Sequence, residues 1–319
     1  MRRRFIPAIA LTGSLLLCAT TIASASSTAR PEAQGTSVRG SGAATFPVSV
    51  QSGDGTVHIA VRPTRILSLS ASATEMLYAI GAGKQVAGVD KYSTYPPNAP
   101  RTTFTGYETS AEDYLPTHPD LVILAFNTKD LVAQLQKLHI PTLLLPPATT
   151  IADAESQISE LGAATGHATG AKTAISGINT DVSRVVRSAG DHGRGATYYF
   201  EIDQTYYSAT SKTFIGALFS RFHMVNIADA ASHTGSAYPQ LSAECVIKAS
   251  PDYVFLADTV CCGQSAKTFA LRPGFSTLRA VRLGHVIAVN DSVASEWGPH
   301  SMEGFVAVIA KAITASSGT

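Results

Sequence analysis

"SAEDYLPTHPDLVIL" spans Ser110 to Leu124, and "SAECVIKASPDYVFL" spans Ser242 to Leu256. Laid over each other without a gap, they match at Ser, Ala, Glu, Pro, Asp, Val and Leu. In each copy Ser stands where a helix N-cap belongs, and Glu112 or Glu244 falls in the first turn, where a carboxylate meets the positive end of the helix dipole. Pro-Asp then separates that helix from an apolar run suited to a buried strand. Helix capping accounts for each acid but not for their matching positions in two halves so diverged elsewhere. The chain uses one unit twice.

Working outward from both copies gives the same order of elements. Before and after the first lie strand "RILSLS" (65–70), helix "TEMLYAIGAG" (74–83), strand "VAGV" (86–89), loop "YSTYPPNAP" (92–100), strand "LVILAF" (121–126), helix "KDLVAQLQKLH" (129–139) and strand "TLLLP" (142–146). Around the second lie strand "ATYYFEI" (196–202), loop "DQTYYSATSKT" (203–213), helix "FIGALFSRF" (214–222), strand "YVFLA" (253–257), strand "GHVIAV" (284–289) and helix "SMEGFVAVIAKAI" (301–313). Strands alternating with helices predict mainly parallel sheets covered on both faces. Between them, 151–190 carries helical periodicity and no strand. Its second segment alone would cross about 25–30 Å at 1.5 Å per residue. The expectation is an α/β protein: an N-terminal lobe at 46–150, a helical spacer at 151–190 and a C-terminal lobe at 191–319. "FPVSVQSGDGTVHIAV" (46–61), alternating on either side of Gly-Asp-Gly, predicts a β-hairpin ahead of the first lobe.

At the N-terminus, three arginines precede an apolar run and the small residues "ASA" at 23–25, the order of a secretory signal over 1–25. Leu17, rather than a small residue, precedes Cys18. Cleavage near Ala25 is therefore preferred to a lipid anchor at Cys18. Residues 26–45, small, polar and Gly/Pro-punctuated, read as a flexible tether. An extracytoplasmic protein is expected. With 24 Lys and Arg against 23 Asp and Glu, the formal charge of +1 lacks the basic excess of a nucleic-acid binder. Cys245, Cys261 and Cys262 follow the signal, without CxxC zinc spacing. Cys245 falls in an apolar helical pattern and reads as a small buried hydrophobe. Adjacent Cys261 and Cys262 could close a vicinal disulfide, stay reduced, or pair one member with Cys245.

"RILSLSASATEMLYAIGAGKQVAGVDKYSTYPP" followed by "AEDYLPTHPDLVIL" resembles the substrate-binding proteins of ABC importers for cobalamin, haem and ferric siderophores. "SATSKTFIGALF" and "YPQLSAECVIKASPDYVFL" carry the resemblance into the second half; it weakens after Cys261. It implies two Rossmann-like lobes bridged by one long backbone helix, with the ligand cleft between them. It also implies a monomer that delivers its cargo to a permease dimer with ATPase subunits. Glu112 and Glu244 would dock, one per lobe, onto the permease. Pro116 departs from the family pattern and predicts a short or kinked first Glu helix.

In such a fold, ligands lie at loops following the strand C-termini. Ser70, Tyr92, Tyr107 and Phe126 from the first lobe, and Tyr206, Tyr207, Tyr238 and Trp297 from the second, are the candidate ligand-binding residues. Aromatics on loops of both lobes suit a flat, large, partly apolar ligand. Tyr92, Phe126 and Tyr238 align with corrin-facing positions of the cobalamin-binding branch. Trp297 has two readings, as a cleft residue or as an anchor for the last helix. Lys91, Arg101, Lys212, Arg221 and Arg272 are scattered and read as solvated surface charges, not the basic cluster an anionic iron chelate needs. The nine histidines lack HxH or HExxH spacing, so no protein metal site is expected. A corrinoid ranks first, then ferric siderophore or haem. Rival classes are an extracytoplasmic α/β enzyme and a cell-surface interaction protein. Against the enzyme, no G-x-S-x-G, P-loop or G-x-G-x-x-G follows a predicted strand, and Glu201 with Asp203 lacks a partner base. No catalytic residue and no cofactor is assigned.

Overall fold

The computed structural model describes residues 45–107, 110–231 and 235–315. The signal at 1–25, the alternative anchor at Cys18 and all but the last residue of the tether at 26–45 lie outside them.

The chain opens with antiparallel strands β1 (Val48–Ser52) and β2 (Gly55–Ile59), turning at Gly53-Asp54 as the sequence predicts. Next come β3 (Ile66–Leu69), α1 (Ala71–Ala79), β4 (Val86–Val89), β5 (Leu121–Leu124), α2 (Leu131–Lys137) and β6 (Thr142–Leu144). Their parallel sheet runs β4-β3-β5-β6. β3 and β5 are buried along their whole length, as strands between two covered faces must be; Ser68 is the one polar residue in either.

Two helices follow: α3 (Ile151–Thr165) and α4 (Ala168–Ala189). Gly166, at φ 76°, ends α3 in the left-handed conformation that glycine adopts freely, so the helical stretch is a pair and not one rod. α4, with 22 residues, is about 33 Å long at 1.5 Å per residue. It buries Ala171, Ile178, Val182 and Ala189 along one stripe.

The second lobe contains β7 (Thr197–Glu201), α5 (Phe214–Ser220), β8 (Val225–Asn226), α6 (Ile227–Ala231), α7 (Ala243–Ala249), β9 (Tyr253–Leu256), α8 (Thr259–Cys262), α9 (Ala266–Ala270), α10 (Arg279–Arg282), β10 (Val286–Ala288), α11 (Asp291–Ser295) and α12 (Pro299–Ala315). Its parallel sheet, β8-β7-β9-β10, repeats the order of the first. Duplication in sequence is duplication in topology.

The repeated Pro-Asp has one structural task in both halves. Asp120 accepts from the Thr64 N–H (2.7 Å), the Thr64 hydroxyl (2.8 Å) and the Arg65 N–H (2.8 Å), fixing the chain as it enters β3. Asp252 accepts from the Thr197 N–H (2.8 Å) and hydroxyl (2.9 Å) at the start of β7. Each acid thus clamps the strand beside its own. Both preceding helices end on a left-handed residue, His118 at φ 46° and Ser250 at φ 41°.

The helices themselves differ. α7 is α-helical, with the Ser242 hydroxyl accepting the Cys245 N–H, whereas Ala111–Thr117 is a 3-10 helix. Pro116 lacks the N–H that an α-helix would direct to the residue-112 carbonyl, so the tighter winding prevails. Cys245 is exposed and free, not buried as its pattern predicts, because Val246 takes the buried position of α7. Cys261 and Cys262 are joined as a vicinal disulfide. Arg272, expected at the surface, is a buried ion-pair partner instead. Its side chain is only 12% exposed and forms two 2.7 Å hydrogen bonds with the fully buried Glu201 carboxylate. A carboxylate at the buried end of β7 requires a counter-charge, and Arg272 supplies it.

The lobes do not have separate interiors. One continuous core joins Met76 and Leu77 of α1, Leu161 of α3, Ile178 of α4, Phe200 of β7 and Phe305 and Ile309 of α12. Each lobe adds a smaller cluster on the other face of its sheet.

Candidate functional site

Seven parallel strands end around one cleft. Its larger cavity, about 650 Å³, takes Leu69 and Ser70 after β3, Asp90 to Tyr92 after β4, Phe126 after β5 and Val260 after β9. Asp291 and Trp297 after β10 complete it. A second cavity of about 400 Å³ takes Pro147 after β6, Ile202 after β7, Ala257 after β9, and Tyr238. Phe126, Ser295 and Trp297 belong to both, so the cavities are two chambers of one cleft. Both fall in the ordinary size range for small-molecule sites, about 300–1,000 Å³. Another cavity of about 400 Å³, lined by Tyr78, Ile178, His300 and Glu303, lies among α1, α4, α12 and the loop after β4. No strand residue contributes to it, so it lacks the convergence of strand ends that marks the cleft.

The structure brings together six of the eight candidate residues. Tyr92, Tyr107 and Phe126 form a ladder of rings, with centroids 6.2 Å and 5.6 Å apart. Together with Tyr238 they leave 42–48% of their surface exposed. That is an unusual amount of apolar area to hold open inside a concavity, and a ligand could bury it. Ser70 is buried as the N-cap of α1, its hydroxyl accepting the Ala73 N–H at 3.3 Å. Trp297 lines the cleft, and its hydrogen bonds run to α3 and α1 rather than to the last helix. Its ring borders both chambers, while its Nε1–H donates to Gln157 Oε1 (2.7 Å) and its backbone N–H to Ser72 Oγ (3.0 Å). Tyr206 and Tyr207 line neither chamber. Tyr206, at φ 70°, packs on Phe275 beneath the Arg272 guanidinium, and Tyr207 is exposed beside Gln240.

Asp90, Glu296 and Asp291 also line the cleft, and sequence reasoning did not single them out. A signal was available for Asp90, which directly follows strand "VAGV". Asp90 is buried, accepts from the Ser93 N–H (2.9 Å) and hydroxyl (2.6 Å), and burial pushes its carboxyl up. Burial, then the Asp90 charge, raises Tyr107. Glu296 is pushed up to about 9, first by burial and then by Glu75. Glu75, buried on α1, accepts the Ser301 N–H (3.0 Å) and hydroxyl (2.6 Å) at the start of α12. The Ser301 hydroxyl also reaches Glu296 Oε2 at 3.4 Å, so the two carboxyls lie against one donor. A Cβ on Gly298 would overlap Glu75, so the loop can pass there only with glycine.

The pair has a pH signature. A carboxyl raised from an unfolded value near 4.5 contributes stability that is complete below about pH 4.5 and lost as pH rises through about 9. Glu296→Gln keeps an acceptor for Ser301 but cannot ionise. Its melting temperature should exceed that of the wild type by a few °C at pH 8, where each kcal/mol moves a domain of this size by about 2–4 °C. The two should converge near pH 5. Parallel melting profiles from pH 5 to 9 would show that Glu296 is not the titrating group.

Glu112 and Glu244 lie outside the cleft, each exposed in the first turn of its repeated element. Its own backbone N–H and the Ser242 hydroxyl hold Glu244 below the usual carboxylate range. No group of three or more His, Cys, Asp or Glu among the described residues is arranged to hold a metal ion. No described helix is long and apolar enough to cross a membrane.

Residues 66–293 match the family described as periplasmic binding protein. A cobalamin-binding protein of Halobacterium salinarum is 30% identical over 276 residues, covering 82% of this chain and 73% of that protein. An uncharacterized ABC transporter substrate-binding lipoprotein of Bacillus subtilis is 27% identical over 269 residues, covering 81% and 83%. Among solved structures, a periplasmic vitamin B12-binding protein of Vibrio cholerae superposes with a TM-score of 0.65 at 21% identity, covering 80% of this chain and 98% of that one. A periplasmic heme-binding protein of Roseiflexus reaches 0.71 at 22%, covering 80% and 99%. The 21% and 22% identities of the two solved structures establish a shared fold alone.

Proposed function

The chain belongs to the periplasmic binding protein family, and from that premise we propose that it is the extracytoplasmic substrate-binding component of an ABC importer, capturing a cobalamin-type corrinoid. It holds its ligand without turning it over. Glu112 and Glu244 engage two copies of a permease subunit, whose ATPase partners drive import. The names of the Halobacterium salinarum and Bacillus subtilis relatives support the class of function.

The observation that carries the ligand assignment is the lining of the cleft. Seven aromatics (Tyr92, Tyr107, Phe126, Phe200, Phe214, Tyr238 and Trp297) line it, with Asp90, Asp291 and Glu296; Lys91 is the one basic residue lining either chamber among the described residues. A tris-catecholate iron complex or the propionates of haem would need paired cations, preferably arginines. A corrinoid offers a broad ring face for the aromatics and peripheral amide donors for the carboxylates. Its capture is favoured where those anionic ligands are not.

Titration of the purified mature protein with cyanocobalamin, cobinamide, haemin and ferric hydroxamates tests this. Cobalamin or cobinamide should raise the melting temperature, by about 2.7 kcal/mol of stabilisation at a hundredfold excess over Kd. It should also quench Trp297, the only tryptophan, in a saturable way. Stabilisation by an iron chelate alone would reassign the ligand. Silence across the panel from folded protein would defeat the reading.

A further inference from the structure

The second-lobe wall of the cleft is built from an unusual short turn. α8 follows β9 and consists of four residues, Thr259–Cys262. Val260 leaves 70% of its surface exposed, so it does not serve the core; it and Cys261 line the larger chamber. The turn is held from both sides. Asp291, itself a lining residue, accepts the N–H groups of Thr259 (2.9 Å), Val260 (2.9 Å) and Cys261 (2.6 Å). The Thr259 hydroxyl donates to the Val289 carbonyl at 2.7 Å, tying the turn to the chain leaving β10. The Cys261–Cys262 bond closes a small ring on the backbone, so neither sulfur can rotate away from its place.

This is strong immobilisation for a segment that presents an aliphatic side chain and a polarisable sulfur to solvent. Nothing in the core requires it. To the same chamber the first lobe contributes the rings of Tyr92, Tyr107 and Phe126, beside Asp90, Lys91 and Thr94. A flat ligand entering the chamber would meet aromatic rings from one lobe and an aliphatic-sulfur surface from the other, and sulfur packs well against polarisable rings. Fixing the turn beforehand spares the ordering cost that a loose loop would impose on binding.

We propose that Val260 and the Cys261–Cys262 disulfide form a rigid ligand-contacting wall of the cleft. The inference rests on the reading of the cleft as a corrinoid-binding site, and the experiment separates the two. Wild type, Val260→Asp and a Cys261→Ser/Cys262→Ser variant would be titrated with cyanocobalamin and cobinamide, with melting temperatures recorded for each. The expected result is wild-type binding, weakened at least about tenfold by Val260→Asp and by the double serine variant. Val260→Asp, at an exposed position, should keep its melting temperature within about 2 °C of the wild type. Wild-type affinity in Val260→Asp overturns the wall while leaving the corrinoid reading intact. Wild-type affinity in the serine variant removes the disulfide from it. A wild-type protein that binds neither ligand overturns the corrinoid reading and the wall together.

Discussion

Arg272→Ala should lower the melting temperature by roughly 6–20 °C. Truncating one partner of a buried ion pair costs about 3–5 kcal/mol, and each kcal/mol is worth about 2–4 °C in a domain of this size. The cost arises because Glu201 remains behind, fully buried at the end of β7, with both oxygens stripped of their donors. The guanidinium also lies over the rings of Phe269, Phe275 and Tyr206, at 4.8, 5.7 and 5.6 Å from their centroids, and those contacts go with it. It further restrains Asp258, which burial and the Glu201 charge push up to about 6. Replacing both partners, Glu201→Leu with Arg272→Met, should recover most of the loss, since apolar groups of similar volume need no counter-charge. Thermal melts of the wild type and the two variants decide it. A single-variant shift below 2 °C would mean that the pair contributes nothing to stability.

The second large effect concerns transport. Glu112→Ala combined with Glu244→Ala should leave ligand affinity within about twofold of the wild type while uptake falls at least tenfold. Removing one member of an interfacial charge pair costs about 2–5 kcal/mol, and two such sites act together. Stability should hardly change, because both side chains are exposed and the Asp120 and Asp252 clamps remain. The readout is uptake by cells lacking the native protein, beside binding by the purified variant. Normal uptake with the double variant would end the docking role.

Much of the fold was legible because its strands are short apolar runs between unmistakable helices. The duplicated Ser-Ala-Glu and Pro-Asp element fixed the correspondence of the halves, and the two sheets share one strand order. Legibility ended where an element's identity depends on a distant partner. β8 is only Val225–Asn226, too short for any periodicity, and pairs with β7 across an intervening helix. Arg272 looks like any charged loop residue until Glu201, 71 positions away, is seen to need it. The cleft follows the same division. Ring residues after strand ends announced themselves, since an aromatic in a loop is conspicuous. Glu296 did not, because what distinguishes it is a neighbour on α1, and Val260 did not, because an aliphatic residue in a loop carries no chemical signal. Tyr206 was conspicuous too, but its left-handed backbone turns it onto Phe275 and away from both chambers.

The course of α12 has a consequence for the order in which the molecule can be made. This last helix packs against α4 and reaches back to α1, where Ser301 satisfies a carboxylate that left the ribosome 226 residues earlier. Until α12 emerges, Glu75 has no donor from Ser301, and Met76 and Leu77 lack part of the apolar surface that covers them. A nascent first lobe can bury one face of its sheet but lacks part of the cover for the other, even though its four strands are already present. Contacts this distant in sequence make that closure slow, and it cannot finish before α12 is available. For a chain expected to cross a membrane before it works, a first lobe that closes late is easier to thread than one already packed on both faces.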